Sequence, residues 1–461
     1  MARSLNISVY LLFLPFFFAA PASAATRSVA NCTAANINAT ISAASDGDTV
    51  LLTCTGTVTW TEKVEIPATK GITLRVQGAT NTPSGSPIFP LIVTSEISPA
   101  IAVKCGSNNS LSRVSGFRFQ TPGTVTLGDG GFLNVSGQGI GKSPYLGAFR
   151  IDNIYFDQIS GNAILTVFSE GGPLYGLIDH STFHDCYRGD GPDYGPYGIQ
   201  IWNYWKSDGK CWGRDGWSNS FSFGNKNFVF IEDNLFENLS QTPNRYMRHY
   251  ISSELGGRYV ARYNTFTVNA QSPGNNNTDL IEGHGFCLCN SNGCGTRGGE
   301  VYNNTFNGTQ MGRVIMPRGG QWVIYNNTFG SLGSYGNPIY FFEYRAGSSG
   351  DCNQCSVSCP CSSNWRTCVG SDPAFYPLEQ QISGTYVWNN LYNGNNIEPF
   401  VDPGGSQRFY IQANRDYFVS AGKPGALSGY TAYTYPHPLI SGATPPASSK
   451  IPKPPSDIQL Q

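Results

Sequence analysis

Three short segments of the chain align residue for residue: Tyr250-Ile-Ser-Ser-Glu254, Leu280-Ile-Glu-Gly-His284 and Val314-Ile-Met-Pro-Arg318. If Ile251, Ile281 and Ile315 point into a core, strand alternation turns positions 252/282/316 and 254/284/318 outward. Glu254, His284 and Arg318 then form one outward column on neighbouring strands about 4.8 Å apart, with Glu282 beside them. Groups that close can act together on one bound sugar.

A carboxylate, a histidine and an arginine in this arrangement suit proton abstraction next to a carboxylate. Arg318, or a cation, neutralises a uronate carboxylate and makes the neighbouring C–H more acidic, or Arg318 serves as the base. His284 supplies acid or base, and an acid assists the departing oxygen. Glu254 and Glu282 offer the oxygen ligands that Ca²⁺ takes, or contacts to substrate. Arg313 and Arg345 are further candidates for substrate binding, with Glu343, Arg248 and His249 nearby in the same alignment. Trp202 and Trp205 lie in an aromatic insertion with Trp212 and Trp217, and read either as a sugar-stacking platform or as the insertion's own small core.

Two other readings stand beside this one. The column is also what a surface ion-pair ladder looks like on a binding or structural protein. A glycoside hydrolase would need two carboxylates about 5 to 9.5 Å apart, and Glu254 with Glu282 are the pair available. The Gly283-His284-Gly285 and Asn277-Thr278-Asp279 segments resemble motifs of polygalacturonase-like hydrolases. The adjacent aspartate pair those enzymes use is absent from the sequence.

The elements that must position the column are read from a repeat. One phrase recurs as Ile151-Asp-Asn-Ile-Tyr-Phe156, Ile178-Asp-His-Ser-Thr-Phe183, Glu232-Asp-Asn-Leu-Phe236 and Arg262-Tyr-Asn-Thr-Phe266. It returns as Val301-Tyr-Asn-Asn-Thr-Phe306, Ile324-Tyr-Asn-Asn-Thr-Phe329 and Val387-Trp-Asn-Asn-Leu-Tyr392. Each copy is a short strand that ends at an Asn corner. Asn accepts the left-handed backbone of a sharp turn, and its amide can bond the next copy in a stack. The apolar residue that follows is expected to point inward. One such coil cannot bury its inner face alone, so the copies must stack. The expectation is an all-β, right-handed parallel β-helix over residues 25–440. Ala34–Ser45 would be a capping helix, loops would be inserted near 205–225, 285–298 and 350–380, and Tyr433–Leu439 would be a loose closing strap. A Pro/Ser-rich tail, residues 441–461, follows and reads as disordered.

The threonine-rich strands of Asp46–Val76, the recurrent Asn-Asn-x-Phe corners, Arg415-Asp-Tyr-Phe418 and Tyr435-Pro-His-Pro-Leu439 resemble secreted β-helix proteins of the pectate-lyase-like superfamily. The resemblance spans roughly residues 30 to 440. It implies the fold, and a polysaccharide as partner. Its members include lyases, hydrolases, epimerases, esterases and adhesins, so it leaves the activity to the site. The favoured activity is β-elimination on a uronate-containing polysaccharide by a monomeric extracellular or periplasmic lyase.

Composition agrees. Charged residues are 13% of the chain and Lys+Arg (29) nearly balance Asp+Glu (30), which argues against nucleic acid or a membrane surface as partner. Arg3, the apolar run Val9–Ala19 and Ala22-Ser-Ala24 read as a secretory signal over residues 1–24, and no later run approaches a membrane span. An oxidising compartment suits the 13 cysteines. Cys32 with Cys54 reads as an N-terminal staple. The clusters Cys287/Cys289/Cys294 and Cys352–Cys368 read as disulfide loops rather than zinc sites. The odd total leaves at least one thiol without a partner in the chain.

Overall fold

The computed structural model describes residues 24–441 except 82–86, 107–109, 123–129, 138–147, 170–173, 188–196, 203–221, 241, 243–244, 255, 270–277, 286–294, 334–335, 343–381 and 402–410. Successive strands pass in turn to three sheets, and every third strand returns beside the first, one coil further along. The described residues form sheets of twelve, ten and eleven strands. Among the described residues the three sheets pair in parallel except where Leu391–Tyr392 turns back on Asn395–Asn396, and an isolated antiparallel bridge joins Thr80 and Ile88. This is the right-handed parallel β-helix that the repeat demands.

The core is a column of stacked apolar side chains. Phe156, Phe183, Phe236, Phe266, Phe306 and Phe329 stack ring on ring, with successive centroids 4.7 to 4.9 Å apart. That spacing is the rise from one coil to the next, so one aromatic per coil builds a continuous buried ladder. All six are at most 1% exposed.

At the corner before these rings, two jobs fall to two consecutive residues rather than to a single Asn. Asn153, His180, Asp233, Tyr263, Asn303, Asn326 and Asn389 take the left-handed backbone, with φ between 49° and 57°. The next residue makes the ladder: the Oδ1 atoms of Asn264, Asn304, Asn327 and Asn390 accept from the backbone N–H of Asn234, Asn264, Asn304 and Asn327 at 3.0 to 3.2 Å. In the Asn-Asn copies the residue after the ladder Asn, such as Thr305, faces partly outward, and the Phe after it fills the core. In the first copy Ile154 is itself buried.

The ends are closed as the sequence suggests. Helix Ala34–Ala43 begins at Thr33, whose side chain accepts from the Asn36 N–H, and it buries Ala34, Ile37 and Ile41 over the first coil. Lys70 Nζ donates to the carbonyls of Ile41, Ser42 and Ala44 at the helix C-terminus, where a cation meets the negative end of the helix dipole. Cys32 and Cys54 form a disulfide. The cysteine clusters at 287–294 and 352–368 lie outside the described residues, as does the segment read as a signal; Cys105 and Cys186 are buried free thiols.

The C-terminal strap is seated rather than loose. Arg262 donates to the carbonyls of Tyr433 and Thr434 at 2.6 and 2.8 Å, and Arg150 to those of Leu439 and Ile440. Leu439 packs with Leu177, Phe230 and Val260 on the outer face of the twelve-stranded sheet. No helix among the described residues is long and apolar enough to cross a membrane.

Candidate functional site

The three aligned segments are adjacent strands of the ten-stranded sheet: His249–Glu254, Asp279–Gly283 and Arg313–Pro317. Their register pairs Ile251 with Ile281 and Ile281 with Ile315, and likewise Ser252 with Glu282 and Glu282 with Met316. His284 and Arg318 follow directly after their strands.

Glu282 is the hub. Its side chain is fully buried and meets Arg318 in an ion pair. His284 Nδ1 lies 3.1 Å from Glu282 Oε1 and also contacts the Arg318 guanidinium. Ser252 Oγ donates to Glu282 Oε2 at 3.0 Å, and Tyr259 OH donates to the Glu282 carbonyl at 2.9 Å. Of the column Glu254, His284 and Arg318 with Glu282 beside it, the structure brings Glu282, His284 and Arg318 together in space. Glu254 stands apart: it accepts from Gln200 Nε2 at 2.9 Å, one coil earlier.

Two glycines make room for His284. A Cβ on Gly283 would lie 2.2 Å from Trp322 Cζ2, and one on Gly285 would lie 2.3 Å from the Arg318 carbonyl oxygen. The Gly-His-Gly motif is thus a packing requirement that presents an imidazole between two coils.

Beside the hub lies a second group. His249, Asp279 and Glu282 are all buried, and one donor atom from each lies within 4.8 Å of the others. His249 Nδ1 is 2.9 Å from Glu282 Oε2 and 3.7 Å from Asp279 Oδ2. Despite that approach it is not aligned to hydrogen-bond with either. Burial holds the imidazole well below its usual pKa, against the pull of Asp279. An imidazole whose Nδ1 has no hydrogen bond, aimed at two carboxylates, is a donor set that fits a divalent cation. The carboxylates are already engaged, Glu282 by Arg318 and Asp279 by Arg313, whose Nε donates to Asp279 Oδ1 at 2.6 Å. A cation entering here would have to exchange with those guanidinium contacts. The carboxylates suit Ca²⁺, whereas the imidazole nitrogen suits Mn²⁺ or Zn²⁺ better.

Asp279 was not legible as a site residue. Strict alternation from Ile281 would turn it inward, but Leu280 and Ile281 both belong to the core, as do Tyr250 with Ile251 and Val314 with Ile315. Two consecutive inward residues leave His249, Asp279 and Arg313 on the same face as Glu282. Aromatic rings flank this face: Trp202 lies tilted against Phe168 at 4.8 Å, while Tyr197 stacks on His249 at 4.8 Å and Tyr340 on Phe400 at 5.4 Å. Arg313 sits over the Tyr340 ring. Trp205, Arg345 and Glu343 lie outside the described residues.

No family model matches the chain, and no curated protein matches it in sequence. Among solved structures it is similar to an alginate lyase from Paenibacillus sp. str. FPU-7, at 16% identity over 68% of this chain and 98% of that one, TM-score 0.35. It is also similar to a mannuronic acid specific polysaccharide family 6 lyase from human gut microbiota, at 15% identity over 82% and 79%, TM-score 0.37. A mutant of the PL6 family alginate lyase AlyGC matches at 14% identity over 94% and 60%, TM-score 0.38. The fold assignment rests on the three sheets and their register.

Proposed function

We propose that the chain is an extracellular, monomeric lyase that cleaves a uronate-containing polysaccharide by β-elimination on the outer face of the ten-stranded sheet. One observation carries the reading: His284 and Arg318, from neighbouring coils, converge on the buried carboxylate of Glu282. Residues 1–24 serve as its secretory signal.

The chemistry follows from what each group can do. In the tautomer that can take up a proton at Nε2, His284 Nδ1–H donates to Glu282 and the Arg318 guanidinium pairs with the Glu282 carboxylate rather than with Nδ1. His284 and Arg313 carry 19% and 26% side-chain exposure, so substrate can reach both. Arg318 and Arg313 face the uronate carboxylate and favour the charge that develops as the C5–H bond weakens. His284 takes the C5 proton, the C4–O bond breaks as the C4=C5 double bond forms, and the imidazolium returns the proton to the leaving oxygen. A divalent cation held by His249, Asp279 and Glu282 would add further neutralisation of the substrate carboxylate. The rings of Trp202 and Tyr340 offer flat faces for sugars on either side.

The test is the ultraviolet absorbance of new unsaturated uronates on a panel of pectate, alginate and glycosaminoglycans, with and without Ca²⁺ or Mn²⁺. Activity that falls by a factor of about 10² or more in His284→Ala and Arg318→Ala supports the reading. Reducing ends without unsaturation would replace it with hydrolysis at Glu254 and Glu282. Binding without any cleavage would replace it with a glycan-binding β-helix.

A further inference from the structure

A cavity of about 350 Å³ lies away from the ten-stranded sheet, at the corner between the other two sheets. Its floor is Thr182, Leu235 and Thr265 of the eleven-stranded sheet, and its walls carry Tyr155, His180, Asp233, Glu237 and Tyr263. The volume falls within the range of small-molecule sites.

The corner residues here break the rule of their own column. Four of the seven left-handed positions in the repeat phrase carry Asn; the three that do not, His180, Asp233 and Tyr263, sit on consecutive coils and all line this cavity. A bulky Tyr at positive φ is uncommon, and departures from a local rule concentrate at functional sites. The strap explains part of the choice, since Tyr435 stacks on Tyr263 at 3.7 Å and its OH donates to Asp233 Oδ1 at 2.8 Å. Tyr155 and Glu237 have other partners. Glu237 is held by His184 Nδ1 at 2.8 Å, and Tyr155 is braced by Arg118 and Phe89.

We infer that this cavity is a second carbohydrate site, which binds a neutral pyranose unit independently of the cationic column. The chemistry is complementary to a sugar: tyrosine rings offer faces for the apolar side of a pyranose, carboxylates accept from its hydroxyls, and threonine hydroxyls do either. Among the described residues the lining has no guanidinium or ammonium group to pair with a uronate carboxylate, and Glu237 is already matched by His184, whereas the guanidinium groups of the column attract a uronate. The two sites therefore select different sugars, and a chain carrying both would hold an acidic polysaccharide while anchored to a neutral one.

The test titrates the full chain calorimetrically with mannohexaose, cellohexaose and xylohexaose, and with an oligouronate of the same length. At least one neutral hexaose binds, with affinity lowered tenfold or more in Tyr155→Ala, severalfold in Glu237→Gln, and unchanged in Tyr155→Phe and Arg318→Ala. The oligouronate shows the converse, losing affinity in Arg318→Ala alone, so failure of this site and failure of the lyase reading are separately visible. The inference is overturned if no neutral hexaose binds at millimolar concentration, if binding survives both Tyr155→Ala and Glu237→Gln, or if Arg318→Ala abolishes it.

Discussion

His249 Nδ1 and Glu282 Oε2 lie 2.9 Å apart on adjacent coils, both side chains buried, without hydrogen-bond alignment. A cation shared by the two would resolve that geometry. The wild-type chain is expected to bind one Mn²⁺ or Zn²⁺ more tightly than Ca²⁺, because one donor is nitrogen. At a hundredfold excess over Kd, binding adds about 2.7 kcal/mol to stability. Glu282→Gln should abolish the thermal shift, and Arg313→Ala should strengthen binding by releasing Asp279. Calorimetry with each metal decides it; tighter Ca²⁺ binding would mean the carboxylates act without His249.

The Asn ladder gives a sharper stability prediction. Asn304 Oδ1 accepts from the backbone N–H and Nδ2 of Asn264, while its own Nδ2 donates to Ala261 O, Tyr302 O and Asn327 Oδ1. Asn304→Ala strands these buried partners and is expected to cost about 3 kcal/mol, since each buried unsatisfied group costs on the order of 1–3 kcal/mol. Asn303→Gly, one residue earlier at φ 56°, should change stability by less than about 0.5 kcal/mol, because glycine accepts that backbone freely. Chemical denaturation of the two variants separates the ladder from the turn.

The repeat phrase made the solenoid legible because each coil must bury an aromatic and satisfy a corner, and Phe and Asn recur in the sequence for those reasons. Alternation from Ile281 likewise put Glu282 and His284 on the outer face. It failed at Asp279 because two successive core residues, Leu280 and Ile281, interrupt the period of two. It gave the corner Asn both jobs because a single copy does not reveal that the left-handed residue and the ladder residue are neighbours. The seating of the strap was hidden for another reason: its partners, Arg150 and Arg262, are 289 and 171 residues away from Leu439 and Tyr433.

That strap carries the pH dependence. His437 is buried beside Arg262 and Arg150; burial first, then those guanidinium groups, push its pKa down from 6.5 to about 3. Its backbone N–H donates to Glu232. The unfolded chain takes up the proton near pH 6.5 and the folded one only near 3, so His437 favours docking fully above 6.5. That support is lost as pH falls towards 3, by up to about 1.4 kcal/mol per unit. Glu232, Asp233 and Glu300 act the other way, because burial raises their pKa values. The difference between wild type and His437→Gln isolates the histidine: hydrogen-exchange protection factors over 430–440, corrected for the intrinsic rate at each pH, should fall below pH 6 in wild type, and less steeply in the variant.

Gly283 connects packing to the proposed chemistry. Its missing side chain is where Trp322 Cζ2 and Thr296 Cγ2 sit, and a Cβ would come within 2.2 and 2.7 Å of them. Trp322 is 1% exposed and its indole N–H donates to the Gly319 carbonyl at 2.7 Å, so it cannot swing aside cheaply. Gly283→Ala is therefore expected to cost about 1–3 kcal/mol by overpacking. The strand must shift to relieve the clash, and His284, the next residue, shifts with it. A displacement of about 1 Å at a reacting group lowers kcat by a factor of about 10². Gly429→Ala, where a Cβ would meet nothing within 4 Å, is the matched control and should leave both quantities unchanged. Uronate cleavage that survives Gly283→Ala while stability falls would separate His284 from the reaction and leave it a structural member of the column.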